Sequence, residues 1–309
     1  MSELSFLGLE FSPISLENNT ILTGFLKRYP QPLTGYTFAT LAAWNPFFHY
    51  GWTFVGPDTL LISCILDPDP NPHLLQPVGV LPPITAQSLI KAAGDLPYPL
   101  RIIGVSSRFL KDNPDFARSF NHWEDRAVSN YVYGAVALAQ LSGRKYAKKR
   151  NLLAQASALY KWTCQKITQQ LTDSCFAVLD SIIEEEQPQM EGMFKRELAA
   201  LECTLRHFDE FGQQGLLISV DGRPVAFSIY EAISPTMVAV HFERALRSYK
   251  GLYQVINCET AKVIAAQGFE FINREEDLGD PGLRDAKMSY HPAEIIPAFD
   301  LMFKKASSG

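Results

Sequence analysis

Near its C-terminal end the chain concentrates groups that can move a proton or hold an oxyanion. Residues 268–292 read Gly-Phe-Glu-Phe-Ile-Asn-Arg-Glu-Glu-Asp-Leu-Gly-Asp-Pro-Gly-Leu-Arg-Asp-Ala-Lys-Met-Ser-Tyr-His-Pro. A short apolar strand signal runs into a polar cluster broken by Gly279, Pro281 and Gly282. Charge placed where a buried strand ends is typical of sites built at a sheet edge. If 269–277 stays extended, Phe269, Phe271, Asn273 and Glu275 share one face, with Glu270, Ile272, Arg274 and Glu276 on the other. The first face leads Asn273 and Glu275 into a cleft, where a carboxylate can take a proton from an amine nucleophile. Arg274 and Glu276 are expected to point away and pair. Arg284 and Lys287, three residues apart, can hold a phosphate or a developing oxyanion. The competing reading is a surface loop knitted by its own ion pairs. No His stands at ligand spacing among these carboxylates, so no metal is expected.

Two further stretches suit anions. Arg144, Lys145, Lys148, Lys149 and Arg150 fall within seven residues, and the 144/148 and 145/149 pairs lie on adjacent strips of one helix face. In an acidic chain such a face suits the phosphates of tRNA, a lipid headgroup or a nucleotide; the alternative is a solvated helix surface. The second stretch is Ser248-Tyr-Lys-Gly-Leu-Tyr253, a turn before a helix start, where free N–H groups and the helix dipole favour negative charge. It resembles the pyrophosphate-binding turn of N-acetyltransferase-like folds, Gln/Arg-x-x-Gly-x-Gly/Ala. Ser248 and Tyr253 depart from that pattern and count against coenzyme A, while Lys250 and Gly251 keep an affinity for phosphate. An ordinary helix start with a glycine turn is the competing reading.

The aromatic run Tyr29, Tyr36, Phe38, Trp44, Phe47, Phe48, Tyr50, Trp52 and Phe54 can line a pocket for an acyl chain or base, but fits a core better. Asp125, Arg126, Tyr131 and Tyr133 are weaker candidates at a strand edge. No Ser-His-Asp order and no Gly-x-Ser-x-Gly elbow is present, which disfavours a hydrolase of that kind.

The elements that must position these groups alternate between helix and strand. Helices are expected from Ser15 or Asn18 to Arg28, and over 38–44, 85–93, 115–120, 143–160, 173–186, 193–211 and 251–267, the last closed by Gly268. Strands are expected over 52–55, 60–66, 76–81, 100–105, 127–136, 162–168, 237–246 and 269–274. Leu216–Val220 and Pro224–Tyr230 flank Asp221-Gly222 as a tight hairpin. Gln187-Pro188-Gln189 separates two helices, and 293–305 is expected as a closing helix. Both halves thus run helix, helix, strands, helix, strand. Leu60-Leu-Ile-Ser63 recurs as Leu216-Leu-Ile-Ser219. The reading is an α/β (α+β) chain of two domains, 1–142 and 143–309, each a mixed, mainly antiparallel sheet flanked by helices.

With 309 residues, 47% of them apolar, two ordinary domains can each bury a core. The net charge of -5 gives no global preference for nucleic acid. Cys64, Cys164, Cys175, Cys203 and Cys258 are scattered and odd in number, which argues against a disulfide framework and fits a reducing cytoplasm. No basic segment followed by an apolar one opens the chain, so no signal peptide is expected. The uncharged stretch 29–57 is interrupted by Pro30, Pro32, Gly35, Pro46 and Gly51, so no integral membrane segment is expected either.

Taken together, Tyr131-Val-Tyr133, Leu141 through Asn151, Gly251-Leu-Tyr-Gln-Val-Ile-Asn257, Phe271 through Gly279 and Gly282 through Pro292 resemble the phosphatidylglycerol lysyltransferase C-terminal-domain family, and within it a soluble, stand-alone bacterial branch. The resemblance runs from about residue 20 to 305. It implies tandem N-acetyltransferase-like domains, shared with membrane-bound lysyltransferases and peptidoglycan-bridge transferases. Those enzymes move an aminoacyl group from charged tRNA to a lipid hydroxyl or a peptide amine. Arg284, Lys287 and Tyr290-His-Pro292 match the family's basic and aromatic-x-Pro motif. The resemblance implies that Lys287 and Arg284 neutralise charge at the tRNA terminus or the acyl transition state. The expected function is aminoacyl transfer from charged tRNA to an unknown amine or hydroxyl acceptor: a small molecule, lipid headgroup or peptide. Asn273, Glu275, Arg284 and Lys287 are the catalytic candidates. Arg144, Lys145, Lys148, Arg150, Lys250, Gly251, Tyr253 and Tyr290 are the binding candidates. No cofactor is assigned beyond the donor. Two alternatives stay open: an acyl-coenzyme A-dependent N-acyltransferase, and a non-catalytic phosphate- or nucleic-acid-binding regulatory module.

Overall fold

The computed structural model describes residues 4–186 and 192–305; the expected break at Gln187-Pro188-Gln189 lies outside them. The chain divides into two compact units. One runs to Asn130 and takes back the tail from Ile296; the other spans Tyr131–Ile295. The expected boundary at 142/143 therefore falls instead inside a strand, and the tail does not stay with the second half.

The first unit opens with the hairpin β1 (Leu4–Phe6) and β2 (Leu9–Pro13), then α1 (Asn19–Arg28) and α2 (Phe38–Phe48). Next come β3 (Gly51–Phe54), β4 (Thr59–Leu66), β5 (Asp69–Leu75) and β6 (Val78–Gly79). After α3 (Pro83–Asp95) follow β7 (Arg101–Ser106), α4 (Ser107–Asp112), α5 (Pro114–Ala117) and the long β8 (Phe120–Gly134). The β5–β7 pair is parallel, with Leu74 opposite Ile102, and α3 connects the two strands. Its core joins Phe11, Leu61, Leu74, Leu89, Ile102 and Phe120.

The second unit holds α6 (Ala135–Gln140), α7 (Ala147–Leu159), β9 (Trp162–Lys166), α8 (Thr172–Glu186) and α9 (Met193–Arg206). The meander β10 (Gln214–Val220), β11 (Arg223–Ala232) and β12 (Met237–Ala245) leads to α10 (Leu252–Ala266), β13 (Phe271–Asn273) and α11 (Pro281–Met288). Its strands run in the order β8 (131–134), β13, β12, β11, β10, β9. Only β12–β13 is parallel among the pairs given for it. The hairpin between β10 and β11 forms as expected, with Asp221 and Gly222 both left-handed at φ 50° and 80°. Each unit is thus a mixed, mainly antiparallel sheet flanked by helices.

The chain ends in β14 (Glu294–Phe303), where a helix was expected. Ile296, Ala298 and Asp300 are buried at period two, and the strand pairs antiparallel with β7, Ala298 opposite Ser106. The apolar density of this segment imitates a helix; Pro297 inside it does not. Asp300 faces inward because Arg101 donates to it at 2.6 Å. The recurring Leu-Leu-Ile-Ser falls on the second strand of one meander, β4, and the first of the other, β10, so it does not mark equivalent positions.

Candidate functional site

β12 and β13 stay paired only through Met237/Phe271, Val238/Ile272 and Ala239/Asn273. Beyond Asn273 the strand ends, and the gap between β12 and the following loop is spanned by two ion pairs. Arg274 Nη2 donates to Glu243 Oε1 at 2.6 Å, and His241 Nδ1 bonds Glu275 Oε1 at 2.7 Å. His241 Nε2 reaches back to Glu231 Oε1 at 2.9 Å. The expected pairing of Arg274 with Glu276 does not form, because the chain is not extended there: Glu275 is left-handed at φ 59°.

That turn is fixed from several sides. Asn273 Oδ1 accepts from Glu275 N at 2.8 Å. Tyr131 N donates to Glu275 O at 3.0 Å, and Arg274 N to Tyr131 O at 2.9 Å. Two residues on, Asp277 is fully buried, and Arg284 grips it with a fork, Nε to Oδ2 at 2.7 Å and Nη2 to Oδ1 at 2.9 Å. Tyr131 Oη and Gly279 N donate to the same carboxylate. Asp280 then caps α11, accepting from Leu283 N at 2.8 Å with Pro281 in the first turn. No helix is expected over 281–288, where Gly279, Pro281 and Gly282 read as breaks; an Asp-Pro pair is also a helix start.

α11 presents Lys287, whose Nζ donates to the Arg274 carbonyl and lies 5.6 Å from the Tyr131 ring centroid. Tyr133 Oη donates to Lys287 O at 2.9 Å. Burial, helped by the Arg274 guanidinium, pushes the Lys287 ammonium down to about 8. Burial, helped by the neighbouring Glu275 carboxylate, pushes Glu276 up to about 7, against the opposing field of Lys287. His241 is 6% exposed; burial alone would lower its pKa, but bonds to Glu231 and Glu275 lift it to about 10. Arg284 holds Asp277 well below the usual carboxylate range. Two groups are therefore poised near neutrality, Glu276 and Lys287, beside groups locked in one charge state.

The four catalytic candidates, Asn273, Glu275, Arg284 and Lys287, gather around this one loop, though three spend their polar atoms inside it. Asn273 is buried with its carbonyl on Glu275 N, Glu275 is bonded to His241, and Arg284 is bonded to Asp277. Sequence reading missed His241, Glu231 and Asp277 and set Glu276 aside. The alternation of His241 with Glu243 on a strand facing Arg274 was the available signal.

The binding candidates divide. Arg144, Lys145 and Lys148 are exposed. Arg150 instead turns back to donate to the Leu141 and Gly143 carbonyls, both at 2.6 Å. Lys149 faces inward, its Nζ 3.9 Å from the centroid of Tyr290, a buried ring with the Arg274 guanidinium 5.4 Å away. His291 Nε2 bonds Lys145 O at 3.2 Å, which ties the basic segment to the end of α11. Gly251 is left-handed at φ 82° and packs on α7: a Cβ there would stand 2.5 Å from Leu152 O and 3.2 Å from Ala156 Cβ. Lys250 is exposed, its N–H donating to Tyr160 Oη at 3.2 Å, and Tyr253 is half-buried in the first turn of α10.

The fold is N-acetyltransferase-like. An acetyltransferase of the GNAT family from Colwellia psychrerythraea superposes with a TM-score of 0.52 at 12% identity, over 96% of this chain and 100% of that one. The chain belongs to the phosphatidylglycerol lysyltransferase C-terminal family, whose sequence profile matches residues 26–301. The chain is similar to a conserved protein of unknown function from Bacteroides thetaiotaomicron VPI-5482, with 28% identity, 95% and 99% coverage of the two chains and a TM-score of 0.87. It also matches L-PGS from Bacillus licheniformis at 14% identity, 96% and 94% coverage and a TM-score of 0.68. A search of curated proteins returned no match. The family is one of acyl-group transferases. Among the described residues no helix is long and apolar enough to cross a membrane.

Proposed function

We propose that this chain transfers an aminoacyl group from charged tRNA to an amine or hydroxyl acceptor, with Glu276 and Lys287 as its acid–base pair. The observation that carries the reading is their placement: Glu276 sits in a loop anchored on either side of it, at Glu275 and at Asp277, Lys287 sits on the helix that follows, and burial pushes both towards neutrality. The Glu276 carboxylate takes the proton from the acceptor as its nitrogen or oxygen bonds to the ester carbonyl carbon. Lys287 commits one N–H to the Arg274 carbonyl and keeps two for the oxyanion. Collapse breaks the bond to the ribose oxygen, which leaves with the proton held by Glu276. Arg284, Asn273 and Glu275 are assigned to holding the loop, so of the four sequence candidates only Lys287 keeps a reacting role.

The exposed Arg144, Lys145 and Lys148 support a phosphate-rich donor, joined to the site through Lys149 on Tyr290 and through His291. The packing of Gly251 against Leu152 disfavours a pyrophosphate at that turn, and with it the coenzyme A alternative. The acceptor class remains amine or hydroxyl, whether on a small molecule, a lipid headgroup or a peptide. Incubation with total charged tRNA carrying radiolabelled amino acids, plus cell extract as acceptor source, tests the reading. Wild-type protein moves label from tRNA to product, while Lys287→Ala and Glu276→Gln do not, although both still bind tRNA. If acetyl-coenzyme A supports transfer and charged tRNA does not, the donor assignment fails. If Lys287→Ala preserves cellular function while charge reversal at Arg144 and Lys148 destroys it, the chain is a binding module.

A further inference from the structure

His241 lies outside the reacting pair, yet it joins three segments of the second unit. It sits on β12 between Glu231 of β11 and Glu275 of the loop, with 2.9 Å and 2.7 Å bonds from its two ring nitrogens. A neutral imidazole has one N–H and can donate to only one carboxylate; the imidazolium donates to both. Asn, Gln or Lys in its place cannot aim two donors in opposite directions across a flat ring. The side chain it fixes belongs to the one loop residue whose left-handed backbone reverses the chain just before Glu276.

We propose that His241 is a positioning residue of this site: its ring clamps Glu275 against Glu231, and the clamp sets the turn that places Glu276 beside Lys287. The Glu275 backbone is already held by Asn273 and Tyr131, and Asp277 by Arg284 and Tyr131. Without the ring the Glu275 side chain is released, and the segment around Glu276 keeps the bonds to the Glu275 backbone and the Asp277 anchor. The charged groups bearing on Glu276 are Glu275 on its own loop, Lys287 of α11 and His241 of β12, with Glu231 of β11 behind the histidine. Removing His241 deletes one of the two cations that favour ionised Glu276.

The proposal rests on Glu276 acting as the base, and its test separates the two. The first arm needs no activity. In wild type, 15N spectra of the ring show both His241 nitrogens protonated at pH 8. The 13C-carboxyl titration of Glu276 moves to higher pH in His241→Gln, because one of the two cations that favour its ionised form is gone. The second arm is transfer from total charged tRNA. In His241→Gln kcat falls roughly 10- to 100-fold, as expected for a displaced reacting group, KM for charged tRNA stays within about twofold, and the acid limb of the pH profile moves up. A neutral His241 at pH 8, or an unmoved Glu276 titration in His241→Gln, overturns the clamp whatever the protein transfers. A moved titration with unchanged kcat leaves the clamp standing and removes Glu276 as the base.

Discussion

Asp277 and Arg284 form a two-pronged ion pair in which the carboxylate is fully buried and the guanidinium half-exposed. The pair joins the loop after β13 to the first turns of α11, so the placement of Lys287 depends on it. Arg284→Ala removes both prongs of the fork from a buried carboxylate. The variant is expected to unfold at lower urea, by an amount limited because the arginine is partly solvated. Arg284→Lys recovers little of it, since an ammonium cannot supply the fork. Urea unfolding of the two variants checks both statements. The Asp277 pKa is lowered on folding, so this stabilisation is present above the ordinary aspartate range and lost as pH falls through the folded value.

Much of this site was legible in the sequence, and its failures share a cause. Residue type and density single out the segment and Lys287, whose Nζ the fold places on the Arg274 carbonyl. Face counting then assigned Glu275 inward and Glu276 outward because it assumed an extended chain to 277. The strand stops at Asn273 and a non-glycine residue turns left-handed, which no period-two pattern reveals. Asp277 and Arg284 are three-dimensional partners seven residues apart, joined by a helix start that read as a loop. The partners of His241 lie on another strand and in that turn, so its alternation with Glu243 is the one local sign of it. For the fold, the hairpin at Asp221-Gly222 and the helix closed by Gly268 carry local signals and were found. The final strand is held by a partner, β7, distant in sequence and was not.

The opposing shifts on Glu276 and Lys287 predict a bell-shaped dependence of kcat on pH. Glu276 must lose its proton and Lys287 must keep one, so activity rises as pH passes about 7 and falls beyond about 8. The pair titrates as a unit, so the limbs belong to both groups. Glu276→Gln is expected to lose the acid limb along with roughly 10²–10⁴ of the rate. A pH-rate series on wild type and this variant measures it.

The basic face predicts a salt-dependent donor affinity. Reversing Arg144 and Lys148 to Glu weakens charged-tRNA binding, and the slope of log K against log salt becomes shallower by roughly 0.7–0.9 for each phosphate that is no longer neutralised. Thermal stability stays near wild type, because both side chains are exposed. Filter binding across a salt series provides the slope.

Gly251→Ala tests the packing of α7 on α10. The new Cβ meets the Leu152 carbonyl in a left-handed backbone that favours glycine. A loss of at least about 1–2 kcal/mol is expected, read as a lower melting temperature, with weaker tRNA binding as α7 shifts. Wild-type protein is expected to show no thermal shift with acetyl-coenzyme A.

Lys287 and Glu276 are proposed to carry out acyl transfer from charged tRNA. The most direct measurement is the rate at which radiolabelled aminoacyl groups leave total charged tRNA for a product in cell extract, comparing wild type with Lys287→Ala at matched folding and tRNA binding. Protein-dependent transfer is expected in wild type, with a loss of roughly 10²–10⁴ in the variant. Transfer that survives Lys287→Ala undiminished, or wild-type protein that moves no label, would contradict it.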